Sequence, residues 1–347
     1  MGASYRAVGW NRQKRVYDGW LALGVGLFLA TFAGVSLALR PELTPETLVI
    51  RAFGLGALVL LHVVLLIGPA ARLSPRWLPL LYNRRHLGVT MFALALVHGV
   101  FSLLQFHGFG ALNPLVSLFL SGGGPAGVGA VPFQPLGFAA LGILFLMAAT
   151  SHDFWLHNLT APVWKALHMA VYAAYVLVVL HVALGALWGE GNPALALALA
   201  AGAGLVGGTH LVAAGREVAG DRELASGPDE VDACAVEDLE DGRGITRTIG
   251  GERVAIFRDG ERVFALSNVC QHQNGPLGEG RVRDGCVVCP WHGYEYRPED
   301  GCSPPPFEER IPTFRVRLDR GRVWIDPHPV PAGTSNPPAR LPGAAPR

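Results

Sequence analysis

Six long apolar runs occupy the first 215 positions, at roughly 18–39, 48–71, 86–106, 134–151, 162–188 and 193–214. A bilayer core needs about 20 apolar residues per helix. Each run is apolar on every side rather than along one stripe, as a soluble amphipathic helix would be. The pattern predicts six membrane-spanning helices. Beyond residue 230 it changes to short segments of alternating apolar and polar positions. Arg253–Arg258 and Arg262–Ser267 flank Asp259-Gly260, and Thr313–Asp319 and Arg322–Asp326 flank Arg320-Gly321. Both read as β-hairpins. The predicted fold class is a membrane all-α six-helix bundle followed by a C-terminal all-β domain, a small antiparallel barrel or sandwich. The divisions are a cytoplasmic N-terminal segment at 1–17, the helical domain at 18–215, a linker at 216–230, the β domain at 231–327 and a Pro-rich tail at 328–347, expected to be disordered.

Composition sharpens this division. Only 16% of the 347 residues are charged, against about 25% in an ordinary soluble domain. The net charge of +1 hides a split: residues 1–215 sum to +6 and the remainder to −5. A single uniform soluble globule is excluded, and so is a collagen-like chain, despite 44 Gly and 26 Pro. The basic start (Arg6, Arg12, Lys14, Arg15) precedes a full-length span with no short apolar core and cleavage site, unlike a signal peptide. Arg72, Arg76, Arg84 and Arg85 lie between spans two and three, Lys165 opens span five, and Arg216 and Arg222 follow span six. The opposite loops carry only Arg40 and Arg51. The positive-inside rule therefore predicts an integral protein of the cell inner membrane with both termini cytoplasmic. The charge-free stretch from Gly108 to Phe133 falls outside, either as a partly re-entrant segment or as a loop. The soluble half is acidic, which argues against nucleic-acid binding. Walker, Rossmann and flavin-binding patterns are absent from the sequence.

Nine histidines lie in the helical half: His62, His86, His98, His107, His152, His157, His168, His181 and His210. An ionisable residue inside a bilayer is a functional candidate, and His is a common axial ligand of haem iron. Spans three and five run in the same direction. The rise is about 18 Å between His86 and His98 and about 20 Å between His168 and His181, while the rings turn by about 120° and 140° on straight helices. The rise suits two stacked haems, and the rotation does not by itself support them. The segment Arg84-Arg85-His86-Leu87-Gly88 with His98, and Trp164-Lys165-Ala166-Leu167-His168 with Tyr172 and His181, resembles the ferric-reductase-like transmembrane domain over about residues 18–214. The resemblance implies b-type haem held by paired histidines, two haems being expected, and electron transfer across the membrane. Carried over by position, His98, His168 and His181 match ligand positions. His86 and, on span two, His62 are alternative partners for His168. Arg84 and Arg85 are either propionate partners or ordinary basic residues at a helix end. His107, His152, His157 and His210 read as interface residues.

All five cysteines follow residue 233: Cys234, Cys270, Cys286, Cys289 and Cys302. In a cytoplasmic domain they read as ligands or free thiols rather than a disulfide framework. Cys270-x-His272 is followed after sixteen residues by Cys289-x-x-His292. This pattern is identified as that of a Rieske [2Fe–2S] domain, covering about residues 231–327. It implies that Cys270 and Cys289 bind an inner iron and His272 and His292 an outer one. Neutral imidazoles in place of thiolates raise the potential relative to an all-Cys cluster. Cys286-x-x-Cys289 as half a zinc site lacks a second Cys pair, and Cys234, Cys286 and Cys302 read as packed residues. Where respiratory Rieske proteins carry a disulfide, this chain has Gly275 and Trp291. Where they carry a serine hydroxyl near the cluster, it has Tyr294, while Tyr296 keeps its place. The segment Cys-Pro-Trp-His-Gly-Tyr-Glu-Tyr is similar to Rieske ferredoxins and oxygenase domains, and fewer hydrogen bonds to sulfur imply a potential toward the low end of the Rieske range.

These readings predict a membrane oxidoreductase. Electrons from a cytoplasmic donor, a ferredoxin reductase or similar, reach the [2Fe–2S] cluster, then haem b, then an unknown acceptor on the outer face. Two alternatives stand beside it. In one, a haem-less membrane anchor carries a Rieske ferredoxin that serves a cytoplasmic oxygenase. In the other, quinol reduces the haem and the flow reverses.

Overall fold

The computed structural model describes residues 12–77, 80–81, 83–120, 132–151, 155, 159, 161–191, 193–220, 230–272, 275–291, 293–305 and 307–341. The chain divides into two compact units, Met1–Gly68 with Asn83–Thr209 and Pro69–Tyr82 with His210–Arg347.

The helical elements are α1 (Arg12–Leu39), α2 (Pro45–Leu73), α3 (Arg84–His107), α4 (Pro114–Leu120), α5 (Gln134–Ala149), α6 (Ala161–Met169), α7 (Val171–Val182) and α8 (Pro193–Gly220). Among the described residues, five helical stretches are long and apolar enough to cross a membrane: Lys14–Leu39, Pro45–Leu73, Arg84–His107, Val163–Leu187 and Pro193–Arg216. The fourth expected span is shorter than predicted. It has 16 residues, about 24 Å at 1.5 Å per residue. It starts at Gln134-Pro135, and it stops where the hydroxyls of Thr150 and Ser151 turn back onto the carbonyls of Leu146 (2.7 Å) and Met147 (2.6 Å). These hydroxyls bond back onto carbonyls one turn earlier, and the Leu146 carbonyl also accepts Thr150 N–H at 3.0 Å.

The fifth expected span runs through Val163–Leu187 with two local irregularities. Ala170, between α6 and α7, donates to the carbonyl of Leu167 at 3.1 Å, a tightened turn. A π-helical turn, Ala183–Leu187, follows α7 and leads into Trp188–Glu190. The stretch between Gly108 and Phe133 contains the short helix α4, and residues 121–131 lie outside the described residues.

Large apolar side chains face outward on this unit. Trp20 and Leu27 on α1, Phe145 on α5 and Val176 on α7 are exposed. A soluble protein would bury such a surface, whereas lipid covers it without cost. The interior is narrow: Leu61 and Leu65 of α2, Met91 of α3, Leu144 of α5, Ala174 of α7 and Val206 of α8 form its core. Without a hydrophobic drive between helices in lipid, close approach relies on small residues. Gly56 lies against Phe28 and Leu94, and Gly99 against Leu141.

Among the described residues the β unit contains three sheets. One runs β11 (Ala339–Arg340), β4 (Arg262–Ser267), β3 (Glu252–Asp259), β2 (Gly244–Ile249), with β8 (Thr313–Phe314) also on β4. The second is β1 (Val231–Ala235), β10 (Arg322–Ile325), β9 (Val316–Asp319), and the third β5 (Arg281–Arg283), β6 (Cys286–Val288), β7 (Glu295–Tyr296). Both predicted hairpins form, pairing Asp259 with Arg262 and Asp319 with Arg322. Arg320 and Gly321 both take positive φ, 48° and 75°, as a two-residue type I′ turn requires. The strand predicted at Thr313–Asp319 is split, because β8 pairs with β4 while β9 pairs with β10.

The Pro-rich segment from residue 328, expected to be disordered, is instead built into the fold up to residue 341. Val330 exchanges bonds with Thr313, Asn336 Nδ2 donates to the Phe314 carbonyl at 3.0 Å, and β11 covers the Arg262–Val263 edge of β4. An open strand edge supplies the unpaired backbone groups that hold it.

Candidate functional site

In the β unit two loops carry the predicted ligands. The first follows β4 and holds Cys270 and His272; the second follows β6 and holds Cys289. His292 lies outside the described residues. The loops share a construction: Cys270 N–H bonds the carbonyl of Gly275 at 3.0 Å, and Cys289 N–H bonds that of Tyr294 at 2.7 Å. Each cysteine is thus fixed by its own backbone across a five-residue step. Both side chains are buried, at 1% and 2% exposure, in one cluster with Leu277, Val287 and Tyr296, whereas His272 is half-buried.

Gly275 explains the missing disulfide in steric terms. A Cβ there would stand 2.7 Å from Cys289 Sγ and 3.3 Å from the Trp291 ring. The two loops approach so closely that no side chain fits, and Trp291 covers the glycine. Cys234, Cys286 and Cys302 are free thiols.

Tyr296 is buried, and its phenolic oxygen accepts Gln271 N–H at 3.1 Å. Cys270 Sγ lies 3.3 Å away, and the phenol is the donor of that bond whenever Cys270 is a thiolate, which can only accept. Burial, and next the neighbouring Cys270, push the phenol upward, so it remains a donor at neutral pH. Tyr294 stacks on the imidazole of His272, with ring centres 3.9 Å apart and planes 14° apart, and it touches Phe307 on its other side at 4.8 Å. Phe307 is exposed. Burial lifts the thiols of Cys234, to about 11, and of Cys286, which suits packed residues rather than reactive ones.

In the helical unit the structure brings two of the predicted histidines together. The rings of His98 on α3 and His181 on α7 have centres 6.1 Å apart and planes at 81°. Their Nδ1 atoms are tied to backbone, His98 to the carbonyl of Ile50 and His181 to that of Phe133, each at 2.9 Å. A carbonyl only accepts, so Nδ1 carries the hydrogen and the lone pair falls on Nε2. The same device is used twice. Four residues beyond each accepting carbonyl stands a glycine, Gly54 or Gly137, whose Cβ would lie 2.7 Å from the imidazole. Those two glycines were not flagged by the sequence, because their role depends on which ring packs against them. Gly185 in the π turn likewise makes room for the Phe133 ring.

The other predicted histidines are placed elsewhere. His62 donates from Nδ1 to Leu58 O (2.8 Å) and accepts from Tyr175 OH at Nε2 (3.0 Å). His86 bonds Asp18 of α1 through Nδ1 at 2.6 Å. His168 donates to Trp164 O at 3.0 Å and stacks on that indole at 3.7 Å. His107, read as an interface residue, is buried between Ser117 Oγ (2.9 Å) and Gln134 Oε1 (3.1 Å). His152 and His157 lie outside the described residues.

Comparison with known proteins matches each half separately. Residues 229–315 match the Rieske [2Fe-2S] domain, and residues 53–179 the ferric reductase like transmembrane component. The ferredoxin component of an alkene monooxygenase system from Xanthobacter autotrophicus is 32% identical over 102 residues, covering 29% of this chain and 84% of that protein. The anthranilate 1,2-dioxygenase ferredoxin subunit of Burkholderia cepacia is 30% identical over 95 residues, covering 26% and 86%. Among solved structures, a Sphingomonas yanoikuyae B1 ferredoxin aligns over 28% of this chain and 98% of its own, with 26% identity and a TM-score of 0.27. A ferredoxin-type iron–sulfur domain joined to a ferric-reductase-like membrane domain implies electron transfer. The chain is a membrane protein that belongs to the Rieske [2Fe-2S] family through its C-terminal domain and carries a ferric reductase like transmembrane component before it.

Proposed function

We propose that this chain passes single electrons between a cytoplasmic Rieske centre and haem within the inner membrane, and onward to an acceptor at the outer face, with both termini cytoplasmic. The observation that carries the reading is the His98–His181 pair. An imidazole–metal bond is about 2 Å long, so two rings bound to one ion through Nε2 stand about 6 Å apart at their centres. The observed separation is 6.1 Å, and both Nδ1 hydrogens are already directed at carbonyls, as ligating histidines require. In the β unit the buried pair Cys270 and Cys289, the half-buried His272 and the following His292 supply two thiolates and two imidazoles, the donor set of a Rieske centre. When bound, these groups supply reversible one-electron chemistry.

The protein's part is positioning. The paired loop bonds hold the two thiolates. Tyr296 stabilises negative charge on Cys270, and Tyr294 fixes the plane of His272. Ile50 and Phe133 set the tautomers of His98 and His181. A cytoplasmic reductase is the proposed donor.

The names of the two ferredoxin relatives favour a second reading. Both are ferredoxins of oxygenase systems, so the Rieske domain could serve a cytoplasmic oxygenase while the helices act as an anchor without haem. Purified full-length protein distinguishes the two. The first reading predicts bis-imidazole b-type absorption together with a mixed His/Cys [2Fe–2S] resonance, and loss of the haem bands in His98→Ala and His181→Ala. A haem-free membrane domain with an intact cluster signal supports the second.

A further inference from the structure

We infer that this chain holds a single haem, between His98 and His181, and that His62, His86 and His168 do not form a second ligand pair. The inference rests on the haem reading above and departs from the two haems expected from sequence.

A second haem held by paired histidines would need another two imidazoles at the spacing that His98 and His181 show. Among the described residues no second pair does. The ring contact of His168 is with Trp164, that of His86 is with Tyr17, edge-on at 6.5 Å, and that of His62 is with Tyr175 at 5.3 Å.

His62 is the most fully committed. Leu58 O takes its Nδ1 hydrogen, which leaves the lone pair on Nε2, and that lone pair accepts the Tyr175 hydroxyl. The backbone of α8 closes the same edge of the ring, since a Cβ at Gly202 would lie 2.6 Å from Nε2. An iron there would have to displace both a hydrogen bond and a helix. His86 is held to Asp18, bonding α3 to α1 near their shared end. His168 has one face covered by Trp164. Its Nε2 is buried with no hydrogen-bond partner among the described residues. The arrangement gives His168 a correct tautomer but no opposing imidazole.

The decisive experiment counts haem per polypeptide in the full-length protein, purified in detergent and saturated with added haem, alongside an optical redox titration. The expected result is one haem per chain and a single one-electron Nernst component. Full haem content should persist in His168→Ala, His86→Ala and His62→Gln, the last of which keeps an acceptor for Tyr175, and be lost in His181→Ala. Two haems per chain, two components in the wild-type titration, or loss of half the haem in His168→Ala would overturn the inference while leaving the electron-transfer reading intact. A haem-free wild type would overturn both.

Discussion

At Tyr296 one hydroxyl serves two groups, accepting Gln271 N–H and donating to Cys270 Sγ. A donor to a ligand sulfur favours the more negative, reduced centre. Removing it in Tyr296→Phe is expected to lower the midpoint potential by about 40 mV, the one-electron equivalent of a roughly 1 kcal/mol hydrogen bond. Redox titration followed by paramagnetic resonance would show this, and an unchanged potential would exclude the bond from tuning. Gly275→Ala acts on geometry instead. Its methyl would sit 2.7 Å from Cys289 Sγ, so the loops must separate. Overpacking of this kind costs about 1–3 kcal/mol, and the expected outcome is a sharp fall in iron and sulfide bound per chain. Cys234, lifted to about 11 by burial, is almost wholly thiol at pH 7–8 and should resist alkylation in the native protein. Its labelling should rise only as pH approaches that value or the domain unfolds. Peptide mapping after iodoacetamide treatment checks this; rapid native labelling would contradict it.

At the scale of elements, two helical details carry the membrane site. The glycines at positions 54 and 137 let a helix backbone lie against an imidazole, and the carbonyl one turn earlier fixes that ring's tautomer. Gly137→Ala is expected to displace His181 and reduce haem content severalfold, whereas Gly204→Ala, with open space around it, should retain it. Equal haem in the two variants would argue against this role for the glycine. Most of the elements were legible in the sequence, because length and all-round apolarity mark membrane helices, and Asp-Gly and Arg-Gly mark hairpins. The exceptions have local causes. The helix α5 ends where the Thr150 and Ser151 hydroxyls bond back onto the preceding turn, and the Ala170 turn and the π turn distort the fifth span without any proline to announce them. The tail at 328–341 looked unstructured because its order comes from the open edge of β4, a tertiary partner invisible in local composition.

For the whole molecule, the change from apolar runs to alternating segments near residue 216, and the accompanying change from +6 to −5, marked the two kinds of domain. Cys270 and Cys289, singled out together by the sequence, do meet in one buried cluster. Histidine pairing was not legible, because helical rise and rotation cannot say which ring faces which across a bundle. Only the three-dimensional packing brings His98 to His181 and leaves His62 with Tyr175. The most direct measurement of the central claim is rapid mixing of the purified full-length protein with a one-electron reductant, observing cluster and haem absorption together. The account predicts that haem reduction follows cluster reduction with a first-order rate independent of protein concentration. A rate that scales with protein concentration, or a haem that stays oxidised while the cluster is fully reduced, would contradict it.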